Sequence, residues 1–250
     1  MSERLTIILT HQPEPAVETM VRWWKENAPG PEILVAYGGS RERFDRLGVP
    51  YKVYVDDSRL RTRDHQRERQ SFAGVFMAVN EWLSGHPEFQ FIHLTEFDCI
   101  PLCPDLFGRL EGRLTEEKAD VLGCRLERVD GTNHPHYLYH QSHPEFESFL
   151  GKLSVRRDPR VVLAMLACVS FWRREAFSAV AGAEENSPLY VEIALPTLAH
   201  HLGFRVRNLS DQSQFVQPVG DLGDRLETLR DQGAWMVHPV KEFSGKLTTS

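Results

Sequence analysis

The sequence predicts a three-layer α/β/α sandwich with a mostly parallel central sheet. Short runs rich in β-branched and aromatic residues, Leu5 to Leu9, Glu32 to Tyr37 and Phe89 to Leu94, have the length and composition of strands, the first two buried on both faces. Between them apolar residues recur at helical spacing. Strand and helix then alternate through residue 124, a pattern that covers a parallel sheet with helices.

Taken in order, LTIIL is the first strand, and Ala16, Met20, Trp23 and Trp24 form the stripe of a helix that stops before Gly30-Pro31. EILVAY is the second strand. Tyr51, Val53 and Val55 alternate with polar residues, as on a sheet edge. Phe72, Val75, Phe76, Val79 and Trp82 predict a helix ending before Gly85, and FQFIHL is the strand that follows it. Pro104-Asp105 opens a further helix with Leu106, Phe107, Leu110 and Leu114 on one face, and ADVLGC at 119–124 is the next strand. Residues 125–160, rich in His, Pro, Arg and Asp without a period, predict a long loop or lid. The chain recovers with VVLAMLACVSFW at 161–172, a short helix around Arg173 to Val180, and a helix ending at Gly203.

A chain of 250 residues can bury roughly 70–75% of its unfolded surface, enough for one α/β domain over residues 1–250. We expect a nucleotide-binding half at about 4–124, the variable loop, a second half at 161–243 and a tail at 244–250. A net charge of −6 with dispersed charges argues against nucleic acid as a partner. The first apolar run spans only five residues, short of a secretory core or a membrane span, so the expected location is cytoplasmic with no transmembrane segment. Cys99, Cys103, Cys124 and Cys168 read as reduced core thiols, because no second Cys pair stands at zinc-site spacing.

In an open parallel sheet, ligands bind beyond the carboxyl ends of the strands. Thr10-His11-Gln12, Gly38-Gly39-Ser40, Asp56-Asp57 and Glu96-Phe97-Asp98 all fall there. Turns are polar everywhere, so the first three fit an ordinary turn as well as a nucleotide crevice. Glu96 and Asp98 close an apolar strand and precede Pro101-Leu-Cys-Pro104 at the next helix. With 35 acidic residues in 250, chance supplies about five acidic-x-acidic triplets, so the order of elements carries the signal rather than the triplet.

Two further segments matter. Glu192 in PLYVEIALPTLAHHLGFRV (188–206) stands eleven residues before Gly203, downstream of SFWRREAF, where Ser187-Pro188 reads as a helix N-cap and Pro196 is expected to kink the helix or delay its start. Taken alone, Glu192 also fits a solvated first-turn residue. His238 in AWMVHPVKEFSGK precedes a proline, which favours extended backbone in a loop.

This layout resembles the glycosyltransferases of the GT-A fold, and among them glycosyltransferase family 2, in which a DxD triplet closes the strand. The resemblance spans about 4–124 and 165–240. It implies a nucleotide-diphosphate sugar donor, a hydroxyl-bearing acceptor (sugar, lipid-linked or small molecule) and a divalent metal, Mn2+ or Mg2+. Asp98 would take the metal, with His238 as a second ligand, and Glu96, replacing the first Asp of the triplet, would face ribose or metal. Glu192 matches the Asp of the family's Glu-Asp pair and would be the general base of an inverting transfer, while Val191 replaces the pair's Glu. Thr10, His11, Gly38, Asp57, Arg69 and Lys241 complete the expected donor contacts, Arg69 and Lys241 toward the diphosphate.

Other histidines and arginines stay outside the metal set. His134, His136, His140 and His143 lack carboxylates at helical spacing and read as lid or acceptor surface, with Tyr137 and Tyr139 to stack on a sugar. The basic run Arg59, Arg61, Arg63, Arg67 and Arg69 reads as a solvated loop and helix start. The alternatives are a non-catalytic nucleotide-sugar or carbohydrate binder, favoured by Val191, and a sugar-phosphate nucleotidyltransferase. The latter needs a Gly-rich basic loop after the first strand, where Thr10-His11-Gln12-Pro13 stands instead.

Overall fold

A computed structural model describes residues 3–62, 71–153, 158, 160–183, 189–209 and 225–240. The strands are β1 (Arg4–Thr10), β2 (Glu32–Tyr37), β3 (Tyr51–Tyr54), β4 (Phe91–Glu96), β5 (Ile100–Pro101), β6 (Val121–Arg128), β7 (Leu163–Arg173), β8 (Val206–Asn208) and β9 (Met236–Val237). Seven form one sheet in the order β3-β2-β1-β4-β7-β6-β8, and β5 pairs with β9 apart from it. Within the large sheet only β7 runs against its neighbours. The expected mostly parallel sandwich is the observed architecture.

Its helices are α1 (Glu14–Asn27), α2 (Arg41–Arg46), α3 (Phe72–Ser84), α4 (Leu106–Glu116), α5 (Pro135–Gln141), α6 (Pro144–Leu153), α7 (Arg174–Ala181), α8 (Val191–His201) and α9 (Arg225–Asp231). Neighbouring strand residues point to opposite faces, and both faces are covered, which is why Ile7-Ile8-Leu9 of β1 and Ile33-Leu34-Val35-Ala36 of β2 are apolar at successive positions. Ile8 and Val35 pack under α1 and α4 with Met20, Trp24 and Phe107. Ile7 and Leu34 belong to the opposite core with Val75, Phe76, Phe177 and Ile193 from α3, α7 and α8. Each such side chain contributes roughly 1.5–3 kcal/mol on burial. All four residues of β3 are half-buried, as an edge strand requires.

Several boundaries differ from expectation. β4 starts at Phe91 rather than Phe89 and includes Glu96, because its register on β1 runs to the Leu9–Glu96 pair. Val55 lies past the end of β3 but still donates its N–H to the Tyr37 carbonyl at 3.0 Å. α4 begins at Leu106, after Pro104-Asp105. The expected loop over 125–160 is corrected: β6 continues to Arg128, and α5 and α6 follow, anchored by buried His140, Phe146, Phe149 and Leu153. The apolar spacing within each short helix was masked by the polar residues between them.

Pro196 neither delays nor ends α8. It removes the N–H that would reach the Glu192 carbonyl, yet the helix runs through it, because Val191, Ile193, Leu195 and Leu198 are all buried. The proposed N-cap, Ser187-Pro188, lies outside the described residues, and Tyr190 occupies the cap position. Arg174 ties α7 to the start of β4: its guanidinium donates to the carbonyls of Leu83, His86 and Phe89, closing the turn after α3. Among the described residues no helix is long and apolar enough to cross a membrane. Cys99, Cys103 and Cys124 are free and buried.

Candidate active site

A cavity of about 810 Å³ opens where β1, β2 and β4 end together. These strands are mutually parallel, so their carboxyl ends share one edge of the sheet. The structure brings Thr10, His11, Gly38, Glu96, Asp98 and His238 into its wall. The strand ends are cross-tied: Gly38 N–H donates to the Thr10 carbonyl at 2.9 Å and Phe97 N–H to the Leu9 carbonyl at 3.1 Å. Gln12 N–H donates to Thr10 Oγ1 at 3.1 Å, and the Tyr37 hydroxyl donates to the Gln12 carbonyl at 3.0 Å, fixing the turn that presents His11.

Gly38 is required by the close approach of Leu60, another lining residue. A Cβ at Gly38 would stand 2.7 Å from Leu60 Cδ1. Leu60 is held by a 3₁₀ turn, Ser58–Arg61, capped by Asp57. Asp57 itself is not in the cavity wall. Its carboxylate accepts from Arg59 N–H at 2.9 Å and from the Arg59 guanidinium at 2.6 Å, and the guanidinium holds its pKa below the usual carboxylate range. Arg69 and Lys241 lie outside the described residues, as do Arg63 and Arg67.

The acidic corner follows from a small piece of antiparallel pairing. β5 and β9 align Ile100 with Val237 and Pro101 with Met236, so the residues just before β5 meet those just after β9. Val240 N–H donates to the Asp98 carbonyl at 2.8 Å, and His238 Nε2 stands 3.3 Å from Asp98 Oδ1. Cys99 N–H donates to the Glu96 carbonyl at 3.1 Å, a turn that keeps Glu96 on the same rim. One ligand atom from each of Glu96, Asp98 and His238 falls within 4.8 Å of the others, and all three residues are half-buried. Two ligands on one small divalent cation stand about 3–4 Å apart. Two hard carboxylates and an imidazole are a donor set that could hold a divalent cation, and the imidazole suits Mn2+ better than Mg2+.

Glu192 is the second residue of α8 and is not in the cavity wall. Its Oε2 stands 2.9 Å from His136 Nε2. The His136 ring centroid is 4.3 Å from that of Tyr190, which does line the cavity. Tyr190 N–H donates to His140 Nε2 at 3.2 Å, and Phe72, also in the wall, meets Tyr190 edge-on at 6.3 Å. Tyr137 and Tyr139 do not line this cavity. Tyr137 packs edge-on against Phe146, and the Tyr139 ring lies 4.7 Å from that of His143, tilted at 39°.

Tyr190, Phe72 and the His136–Glu192 pair were missed in the sequence. One signal was present: Pro135 at a helix start places His136 and His140 four residues apart on one face.

No family model matches this chain, and no curated protein does. Solved structures similar to it include the mannosyltransferase PcManGT from Pyrobaculum calidifontis in complex with GDP-Man and Mn2+. That match has a TM-score of 0.45 and 14% identity, covering 84% of this chain and 55% of that one. Another is the bifunctional IspDF from Campylobacter jejuni, with a TM-score of 0.45 and 10% identity, covering 85% of this chain and 50% of that one. The chain thus spans about half the length of either.

Proposed function

We propose that the protein is a metal-dependent glycosyltransferase, similar to family 2 of the GT-A fold, moving a sugar from a nucleotide-diphosphate donor to a hydroxyl acceptor. The observation that carries this reading is the convergence of Glu96, Asp98 and His238 within 4.8 Å, in a cavity also walled by Thr10, His11 and Gly38. Asp98 and His238 would hold the divalent ion, and Glu96 would take metal or ribose. The ion, when bound, neutralises charge on the departing diphosphate. Thr10, His11 and Gly38 position the nucleotide, and Lys241 and Arg69 are assigned to the phosphates. Glu192, which forms an ion pair with His136, would serve as the general base of an inverting transfer.

Manganese with a hundredfold excess of UDP or GDP over its Kd should raise the Tm by on the order of 5–10 °C. Asp98→Ala should lose that shift. An undiminished shift in the variant would remove Asp98 from the site.

A second reading has one observation in its favour. Val191, where the family carries a Glu, is buried in the core, so that carboxylate has no counterpart here. A binding protein on the same scaffold would show the manganese-dependent shift but no release of nucleotide from donor sugars. A nucleotidyltransferase remains disfavoured by the Thr10-His11-Gln12-Pro13 turn after β1.

A further inference from the structure

We infer that Leu60 is a specificity-determining residue of the cavity and sets how large a nucleobase the donor site admits. The inference rests on the donor reading above and deepens it. The cavity has two chemically different ends. Glu96 closes β4, and with Asp98 and His238 it makes the charged end. Toward the ends of β2 and β3 the wall is apolar: Ala36, Val55 and Leu60, with Phe72 and Val75 from α3. β2 stands two strand spacings from β4, about 10 Å. A nucleoside diphosphate has the same polarity, with charged phosphates at one end and at the other a base whose flat faces pack on apolar side chains. Held by its phosphates at the acidic corner, it lays its ribose across β1 and its base over the end of β2, against Leu60.

Leu60 is held differently from the other apolar wall residues. Ala36 belongs to the sheet and Val75 to a helix, whereas Leu60 sits on the 3₁₀ turn, which is clasped onto the end of β2. Leu60 N–H donates to the Asp57 carbonyl at 3.1 Å, and at the other end of the turn Arg61 Nη1 donates to the Gly39 carbonyl at 2.9 Å. That same Gly39 oxygen accepts from the Tyr54 hydroxyl at 3.2 Å. The clasp sets Leu60 so close to Gly38 that a Cβ there would stand 3.0 Å from Leu60 Cβ and 3.3 Å from its Cγ. The side chain therefore has no room to swing toward β2, and a base that reaches beyond the space in front of it must displace it. An apolar pocket discriminates by size, and one carbon more or less changes affinity by roughly 10–200-fold. Gly38 is thus the residue that admits Leu60, and Leu60 the residue that bounds the base.

The test is a calorimetric titration of the whole chain, with manganese, against UDP, CDP, GDP and ADP. Leu60→Ala should raise the ratio of purine to pyrimidine affinity roughly tenfold, and Leu60→Val should move it the same way by a smaller factor. A graded shift toward the larger ring system separates a size limit from a structural role, because a merely loosened site weakens all four ligands alike. The valine variant carries the test by itself if the alanine variant folds poorly. A purine-to-pyrimidine ratio that stays at the wild-type value, or falls, overturns the assignment of Leu60 and leaves the donor reading in place. Wild-type protein that binds none of the four diphosphates with manganese overturns the donor reading, and the assignment with it.

Discussion

The cavity rim, the proposed donor side, and the region that carries Glu192, the proposed acceptor side, are built differently. At the rim, β1, β2 and β4 run parallel in unbroken register, and all end at the same sheet edge. Around Glu192, β6 pairs with an antiparallel β7 through two register shifts, α8 carries an internal proline, and the polar pair comes from two helix starts. Periodic pairing positions residues through the backbone alone. Helix starts position them only through the packing of whole helices. The donor side should therefore tolerate surface change but not loss of a ligand, whereas the acceptor side should separate chemistry from binding.

The largest effects should come from crossing the two sides. Glu192→Gln is expected to cut turnover by ~10²–10⁴-fold with manganese-dependent nucleotide affinity preserved, and Asp98→Ala to remove that affinity, as kinetics and calorimetry would report. Glu192→Gln losing both together would erase the distinction between the sides.

Next in size is an acid effect inside the donor scaffold. His93, three residues before Glu96, is fully buried between Trp24 and Phe107 with both ring nitrogens lacking a hydrogen-bond partner among the described residues, and burial lowers its pKa to about 3. The unfolded chain binds a proton on this ring below about pH 6.5 and the folded one does not. Stability from this ring is complete above that pH and falls between about 6.5 and about 3, by at most ~5 kcal/mol. His93→Leu should flatten this limb of a urea-melt pH series; an unchanged limb would show that the ring does not control it.

Gly38→Ala forces Leu60 to move and should weaken nucleotide affinity severalfold in a calorimetric titration, with little change in Tm. Smallest is Asp57→Ala, which removes a cap worth about 1 kcal/mol and should lower Tm while leaving the nucleotide-induced shift intact. A lost shift would return Asp57 to the donor contacts.

Much of the donor side was legible because sheet burial writes itself into sequence as apolar runs, and site residues follow at their ends. Glu96, Asp98, Thr10 and Gly38 were picked out that way, and all four line the cavity. Asp57 looked identical in sequence, yet in the structure it is paired with Arg59 two residues on and caps the turn that holds Leu60. His238 was reachable through a family pattern, although the pairing that brings it to Asp98 involves two residues in each strand, too few to leave a periodic trace. His136 was visible as a residue but not as a partner of Glu192, since their contact depends on how α5 packs beside α8.

The ribbon of β5 and β9 joins residues about 140 positions apart in sequence, closing a loop around most of the second half of the fold. Closing so large a loop costs only slowly more entropy as it lengthens, but contacts of such sequence separation form late in folding. The acidic corner would thus mature after the sheet that carries Glu96, and a nascent or partly unfolded chain would hold its strands without yet holding a metal. Acquisition of manganese affinity during refolding should lag the recovery of secondary structure.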